Sequence, residues 1–383
     1  MKPLVLVLAL TAAAATAGAS RAAAQTCAGA LPGAPAGLPS SIVLQTECGA
    51  YSVDGDGNVS TTARKQAPWW SPSPFRLALQ RRHVVLIEQG RVRWRSHRVF
   101  DLALEDLASI AVSDRDLAFS FMHGKLWVSR LDGREHAVAA GEHALAWTKN
   151  DDLLTVRRHH GRFELRVRRE NGSRPRLLVR APLRFVVDEE MGSLLYVTPA
   201  RVLVRTDGRS SSMLADLSRL GFGRTFELQP LPRGLLAIFT PRRVAVVRSD
   251  GSLYATADYP AAPGLRYGYP TFGVGANGVA VAVDLWSESL HEREDVFVLR
   301  AGDSEATRVL SEAAEFAGGC GWYARLEWKG DWLLYTDALT NVVALDSVTG
   351  RRVDLTATAL HLPGVTPDPS GNGETGFEFA VWG

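Results

Sequence analysis

Phe163-Glu164-Leu165-Arg166-Val167-Arg168 alternates apolar and charged residues, turns at Glu170-Asn171-Gly172 and returns through Leu177-Leu178-Val179. Period two followed by Asn-Gly describes a strand running into a tight antiparallel turn, because Asn and Gly tolerate positive φ at little steric cost. The same grammar recurs along the chain. Lys125 to Arg130 precedes Leu131-Asp132-Gly133, Val202 to Val204 precedes Thr206-Asp207-Gly208, and Val244 to Val247 precedes Ser249-Asp250-Gly251. Val296 to Leu299 then precedes Ala301-Gly302-Asp303, and Val342 to Leu345 precedes Val348-Thr349-Gly350. With Gly90 at the front, the turn glycines Gly90, Gly133, Gly172, Gly208, Gly251, Gly302 and Gly350 are spaced by 36 to 51 residues.

A second pair of short strands precedes most of these hairpins, as in Ile110 to Val112 with Leu117 to Phe121 and Leu145 to Trp147 with Leu153 to Val156. Each unit is therefore four antiparallel strands, and a single such unit cannot bury its own apolar face without a neighbour. The fold class is all-β, a β-propeller of seven blades, with six and eight as the alternative counts. A sandwich-type tandem array is the main competitor. A parallel β-helix would use shorter periods without a hairpin in every copy.

Leu145-Ala146-Trp147-Thr148-Lys149-Asn150-Asp151-Asp152-Leu153-Leu154, followed by Leu165-Arg166-Val167 and Asn171-Gly172, resembles the repeat of TolB-like propellers. That repeat reads Trp-Ser-Pro-Asp-Gly, a strand, then Ile-Tyr-Val before Asp-Gly. Trp69-Trp70-Ser71-Pro72 echoes its opening, and the resemblance spans most of residues 66 to 362, although no copy carries an intact Ser-Pro-Asp-Gly. It implies a Trp-Asp-repeat-like blade. The family includes periplasmic scaffolds that bind envelope proteins and peptidases whose propeller filters access to a separate hydrolase domain. One propeller occupies nearly all of the 383 residues and leaves no room for such a domain.

Met1-Lys2, the apolar run Leu4 to Leu10 and Ala22-Ala23-Ala24 before Gln25 form a secretory signal with a small-x-small cleavage pattern. The division is then signal 1 to 24, extension 25 to 40, propeller 41 to 365, and a tail 366 to 383 holding a candidate closing strand, in a secreted, periplasmic or envelope protein. Removal of Lys2 and Arg21 leaves 41 basic against 41 acidic residues. That balance points to neither nucleic acid nor an anionic membrane, and no membrane span remains after cleavage. The Arg-rich stretch Arg157, Arg158, Arg162, Arg166, Arg168, Arg169, Arg174 and Arg176 reads as the solvent face of two strands.

Closure has two candidate segments. Ile42 to Cys48 with the Tyr51 hairpin lies at the front, and Phe377, Phe379 and Val381 alternate with Glu378, Ala380 and Trp382 at the back. The Arg76 to Arg95 unit reads one strand short, so a terminal strand is expected to fill it; if the Tyr51 hairpin is its own blade, the count becomes eight. Cys27, Cys48 and Cys320 allow one disulfide in an oxidising compartment. Cys48 with Cys320, joining first and last units, is the preferred pairing over Cys27 with Cys48.

No Gly-x-Ser-x-Gly elbow, His-Glu-x-x-His or phosphate-cradling loop is present. Gly273-x-Gly275-x-x-Gly278 matches a bare dinucleotide pattern, but Val279 to Leu285 continues as a strand where that fold needs a helix. Asp54-Gly55-Asp56-Gly57-Asn58 lacks the Gly and Glu positions of a calcium loop and reads as a hairpin turn. No cofactor or metal is expected. The binding candidates are Trp286, Glu288, His291 and Glu292, in an acidic insertion from Trp286 to Asp295 read as a protruding loop, and Trp322 and Trp328 in a Trp-rich last unit. The expected role is a monomeric binding or scaffold propeller that meets a protein partner or extracellular ligand at its rim. The alternative is an extracellular hydrolase or lyase with carboxylates in the central channel. Mass spectrometry of the mature protein is expected to place its first residue at Gln25, and an intact Met1 would refute the signal.

Overall fold

The computed structural model describes residues 27, 29–63, 76–77, 85–88, 91–94, 98–101, 107–112, 116–121, 125–130, 135–169, 174–188, 191–288, 290–313, 325–336, 341–366 and 377–383. Among the described residues eight four-stranded antiparallel sheets follow one another along the chain, and they form a β-propeller. Blade 1 is Phe377–Trp382, Ile42–Thr46, Gly49–Val53 and Val59–Thr62, in that spatial order; the strands of blade 2 lie between Arg76 and Asp101. Blade 3 runs from Leu107 to Ala140, blade 4 from Glu142 to Arg180, blade 5 from Arg184 to Asp216 and blade 6 from Glu227 to Asp258. Blade 7 runs from Arg266 to Ala313 and blade 8 from Arg325 to Asp354.

The count is eight where the glycine spacing favours seven, and the reason is a change of phase. Gly133, Gly172, Gly208, Gly251, Gly302 and Gly350 fall between third and fourth strands, whereas Gly90 falls between the second and third strands of blade 2. The true first member of the series is the Asp54 turn of blade 1. There Asp54 Oδ1 accepts from the N–H groups of Asp56 and Asn58 at 2.9 and 2.8 Å. The Asp250 carboxylate holds its outer turn likewise, taking the Ser252 N–H at 2.8 Å. Gly251 sits there at φ 89°, and a Cβ on it would stand 2.8 Å from the Leu214 carbonyl of blade 5, so the turn demands glycine twice over.

The terminal strand also lands elsewhere than expected. Arg76 to Asp101 supplies four strands of its own, and Phe377–Trp382 pairs with Ile42–Thr46, Ile42 opposite Trp382 and Leu44 opposite Ala380. The last strand of the chain thus completes the first sheet. The preferred disulfide is likewise corrected: Cys48 bonds to Cys27, across a separation of 21 residues, and Cys320 lies outside the described residues. Closing a loop of that size removes about 3 kcal/mol of unfolded-chain entropy. The extension it anchors is laid on blade 1, with Ala34 and Gly37 donating to Gly57 and Gly55 carbonyls and Leu38 entering the core. Thr358 of the short helix Thr356–Leu360 donates its hydroxyl to the Gly33 carbonyl, joining that extension to the segment after blade 8.

Central strands are apolar on both faces because each sheet is covered on both sides. In blade 7, Val279, Val281 and Val283 pack toward Phe239 and Val246 of blade 6, while Ala280 and Ala282 pack toward Leu333 and Tyr335 of blade 8. First strands of successive sheets lie against one another, which makes them the inner strands, and fourth strands the outer ones. Three inner strands share one contact. Trp147 donates its indole N–H to the Ala111 carbonyl at 3.2 Å, Trp328 to Gly273 at 3.1 Å and Trp382 to Glu327 at 3.3 Å. Each reaches from one inner strand to the inner strand of the blade before it.

The same contact accounts for the dinucleotide-like glycines. A Cβ on Gly275 would stand 2.6 Å from the Trp328 ring, and one on Gly273 would stand 2.4 Å from the Leu326 carbonyl. Gly275 donates to the Gly278 carbonyl in the turn that starts the strand Val279–Ser287. These glycines make room for an indole of the next blade. Trp328→Phe is expected to lower unfolding free energy in urea by about 0.5–1.5 kcal/mol through the lost hydrogen bond. Trp328→Ala is expected to cost about 3–5 kcal/mol, as for other large truncations in a packed site.

Candidate binding face at blades 6 and 7

In a four-stranded antiparallel blade, the turns between second and third strands and the connections to the next blade emerge at the same end. The inner strands begin at that end. Glu142, Arg184, Glu227, Arg266 and Arg325 are the first residues of five of them, and Glu378 is the second of another. Several of these charges are paired: Arg184 Nη2 meets Glu227 Oε1 at 2.9 Å across blades 5 and 6, and Gln45 donates to Glu378 Oε2 at 2.6 Å.

Glu142 is buried. Its carboxylate receives Arg166 Nη1 at 2.9 Å, Arg168 Nε at 2.8 Å and the Thr155 hydroxyl at 3.1 Å. Burial alone would raise its pKa, but the Arg168 and Arg166 guanidiniums outweigh burial and hold it below the ordinary value. Arg166 and Arg168 therefore do not belong to a solvent face as the sequence suggested, whereas Arg158, Arg162, Arg169, Arg174 and Arg176 are exposed. The alternation that marked the strand placed them opposite Leu165 and Val167, on the face turned toward blade 3 rather than toward water.

Around blades 6 and 7 the same end opens into a cleft of 710 Å³. The second-to-third turn of blade 6 contributes Pro241 and Arg242, and the connection to blade 7 contributes Asp258 to Tyr267 with Pro260 and Pro263. Tyr259 forms part of the wall, 6% exposed, its ring stacked on Phe297 at 5.3 Å and tilted against Tyr267 at 5.4 Å. Tyr267 donates its hydroxyl to the Pro260 carbonyl and so fixes the loop. The Tyr259 hydroxyl is buried and has no hydrogen-bond partner among the described residues. Burial, with Tyr267 beside it, pushes that hydroxyl's pKa up, so it remains a donor at neutral pH. Asp258 faces Arg243 at 3.6 Å, whereas Arg242 and Arg266 are exposed with no ion pair among the described residues.

The acidic insertion borders this cleft, in a different form from the loop expected. Val279–Ser287 and Leu290–Leu299 make one long hairpin, paired from Val279 with Leu299 out to Ser287 with Leu290. Of its charged residues Glu294 and Asp295 are buried, Glu294 under the Tyr335 hydroxyl and Asp295 beside Arg293 and Arg308. Trp286 stands opposite Arg266, which lines the cleft, and Glu288 is exposed at the tip. The side chains of His291 and Glu292, and the whole of Trp322, lie outside the described residues. Trp328 is half-buried, its ring packed on the Gly273 to Gly278 segment at the end of the blade opposite the cleft. Nearby, Tyr269 on the inner strand of blade 7 is 70% exposed.

Sequence reasoning missed Tyr259, Tyr267 and Arg242. The available signal was Tyr259-Pro260-Ala261-Ala262-Pro263-Gly264, a Pro- and Gly-rich connection between strand patterns. Asp284, whose carboxyl burial raises, is not on an inner strand. Asp284 and Glu294 are paired on the second and third strands of blade 7, and Glu294 accepts the Tyr335 hydroxyl of blade 8 at 2.6 Å.

No protein-family model matches the chain, and no curated protein matches it. Among solved structures, the β-propeller domain of the Trilobed protease from Pyrococcus furiosus is similar at 9% identity and a TM-score of 0.35, over 65% of this chain and 84% of that one. The WD40 domain of SCAP from fission yeast gives 9% identity and 0.40, over 84% and 85%. Sqt1 from Saccharomyces cerevisiae gives 11% and 0.38, over 70% and 80%.

Burial raises the Asp284 carboxyl from 3.8 to about 6. The folded state therefore holds this proton more tightly than the unfolded one. Its contribution is complete below pH 3.8 and is lost as pH rises through about 6. Asp284→Asn is expected to be more stable than the parent at pH 7, by roughly 1–3 kcal/mol after allowance for partial solvent screening. The difference should vanish below about pH 4 in urea titrations across that range.

Proposed function

We propose that this protein is an extracytoplasmic propeller of the TolB-like type, acting as a binding or scaffold module. The observation that carries the reading is the long hairpin Val279–Ser287 and Leu290–Leu299, which projects beside an open cleft and an exposed Tyr269. A rigid scaffold presenting an elongated element and an uncovered aromatic ring is the arrangement propellers use for recognition. The Cys27 to Cys48 disulfide supports an oxidising compartment, as do the apolar N-terminal run and its cleavage pattern. Among the described residues no helix is long and apolar enough to cross a membrane. The partner engages the hairpin tip at Trp286 and Glu288. Among these residues Glu288, exposed at φ 29°, gives the tip its charge.

The test is chemical cross-linking of the mature protein in envelope extract, read by mass spectrometry. One partner is expected, cross-linked to residues 286–290, and Glu288→Arg should reduce its recovery by about tenfold while thermal stability is unchanged. Recovery unaffected by that charge reversal, or turnover of a hydrolase substrate panel with no partner captured, would overturn the reading.

A further inference from the structure

We propose that the cleft between blades 6 and 7 is a small-molecule site for an organic anion with an apolar body, its carboxylate held by Arg242 and Arg266. This goes beyond the partner-binding reading and can fail independently of it. Three observations converge on one volume. The first is size: 710 Å³ lies within the range that holds a small ligand.

The second is the wall. Pro241, Pro260, Pro263 and Leu265 line the cleft, and the proline rings fix its backbone. Tyr267 locks the loop through the Pro260 carbonyl, so the cavity is formed before a ligand arrives and little ordering entropy is spent on binding. The third is the charge at the mouth, where Arg242 and Arg266 are exposed among the lining residues.

The charge at the rim sets the sign of the ligand. Asp258 is the acidic residue among the lining residues, and it faces Arg243, which leaves Arg242 and Arg266 uncompensated among the described residues. Two guanidiniums over an apolar floor suit a carboxylate head on an aliphatic or aromatic body, because guanidinium matches carboxylate in a planar, two-bonded geometry. A neutral apolar ligand would leave both arginines idle. A sugar would meet too few donors and acceptors on the proline walls.

Isothermal titration of the mature protein with 4-phenylbutyrate tests this, with 4-phenylbutanol as the matched neutral probe. Saturable binding of the acid is expected, with the alcohol weaker by about tenfold. Arg242→Ala combined with Arg266→Ala should remove that preference. Both arginines are exposed, so melting temperatures should stay at the parent value and confirm a folded variant. Glu288→Arg should leave 4-phenylbutyrate binding intact, which separates this site from the hairpin. Equal affinity for acid and alcohol, no saturable binding of the acid, or full affinity in the double arginine variant would overturn the proposal.

Discussion

At three blade junctions, between blades 3 and 4, 7 and 8, and 8 and 1, an indole N–H placed on a backbone carbonyl joins neighbouring inner strands. Inner strands present an edge toward the axis, where carbonyl groups would otherwise lack partners, and an unpaired buried acceptor is expensive. Trp147, Trp328 and Trp382 each meet such a carbonyl while filling the wedge between two sheets with a large ring. Further out, charged side chains take over the same task. Arg205 Nη1, on the third strand of blade 5, reaches the Ser249 carbonyl at 2.8 Å, and Arg300 Nη2, just past the third strand of blade 7, reaches Ser347 at 2.7 Å, each in the outer turn of the next blade. The blades are thus held by apolar faces in the middle and by single directed hydrogen bonds at inner and outer edges.

The repeat and its strands could be read in the sequence because period-two alternation and Asp-Gly turns are local properties. The blade count could not, because glycine marks a tight turn without saying which turn of the blade it is. Gly90 and the Asp54 turn exchange roles for this reason. Pairing of the last strand with Ile42–Thr46 was equally hidden. Its alternation of Phe377, Phe379 and Val381 shows a strand with two unlike faces, but partner choice is a long-range matter of register.

The site was legible only in part. Acidic residues between Trp286 and Asp295 marked an unusual blade, yet composition suggested a loop where cross-strand pairing holds a hairpin to its tip. Trp328 shows the limit of reading aromatic residues singly. Its meaning depends on Gly273, Gly275 and Gly278, 50 to 55 residues earlier and in another blade. Tyr259 was invisible because its burial comes from Phe297 and Tyr267, which the chain brings together only when blades 6 and 7 pack.

Pairing of Phe377–Trp382 with Ile42–Thr46 also fixes an order of events during synthesis. The inner strand of the first sheet is made after the strands of the other seven, so the backbone of Ile42–Thr46 keeps one unpaired edge until those blades have emerged. The extension held by Cys27 and Cys48 covers the outer turn of that sheet and leaves the inner edge open. An incomplete chain would therefore carry a nearly finished row of blades with one free strand, able to accept an extended segment from another molecule. Full-length synthesis is what turns that adhesive edge into an internal seam.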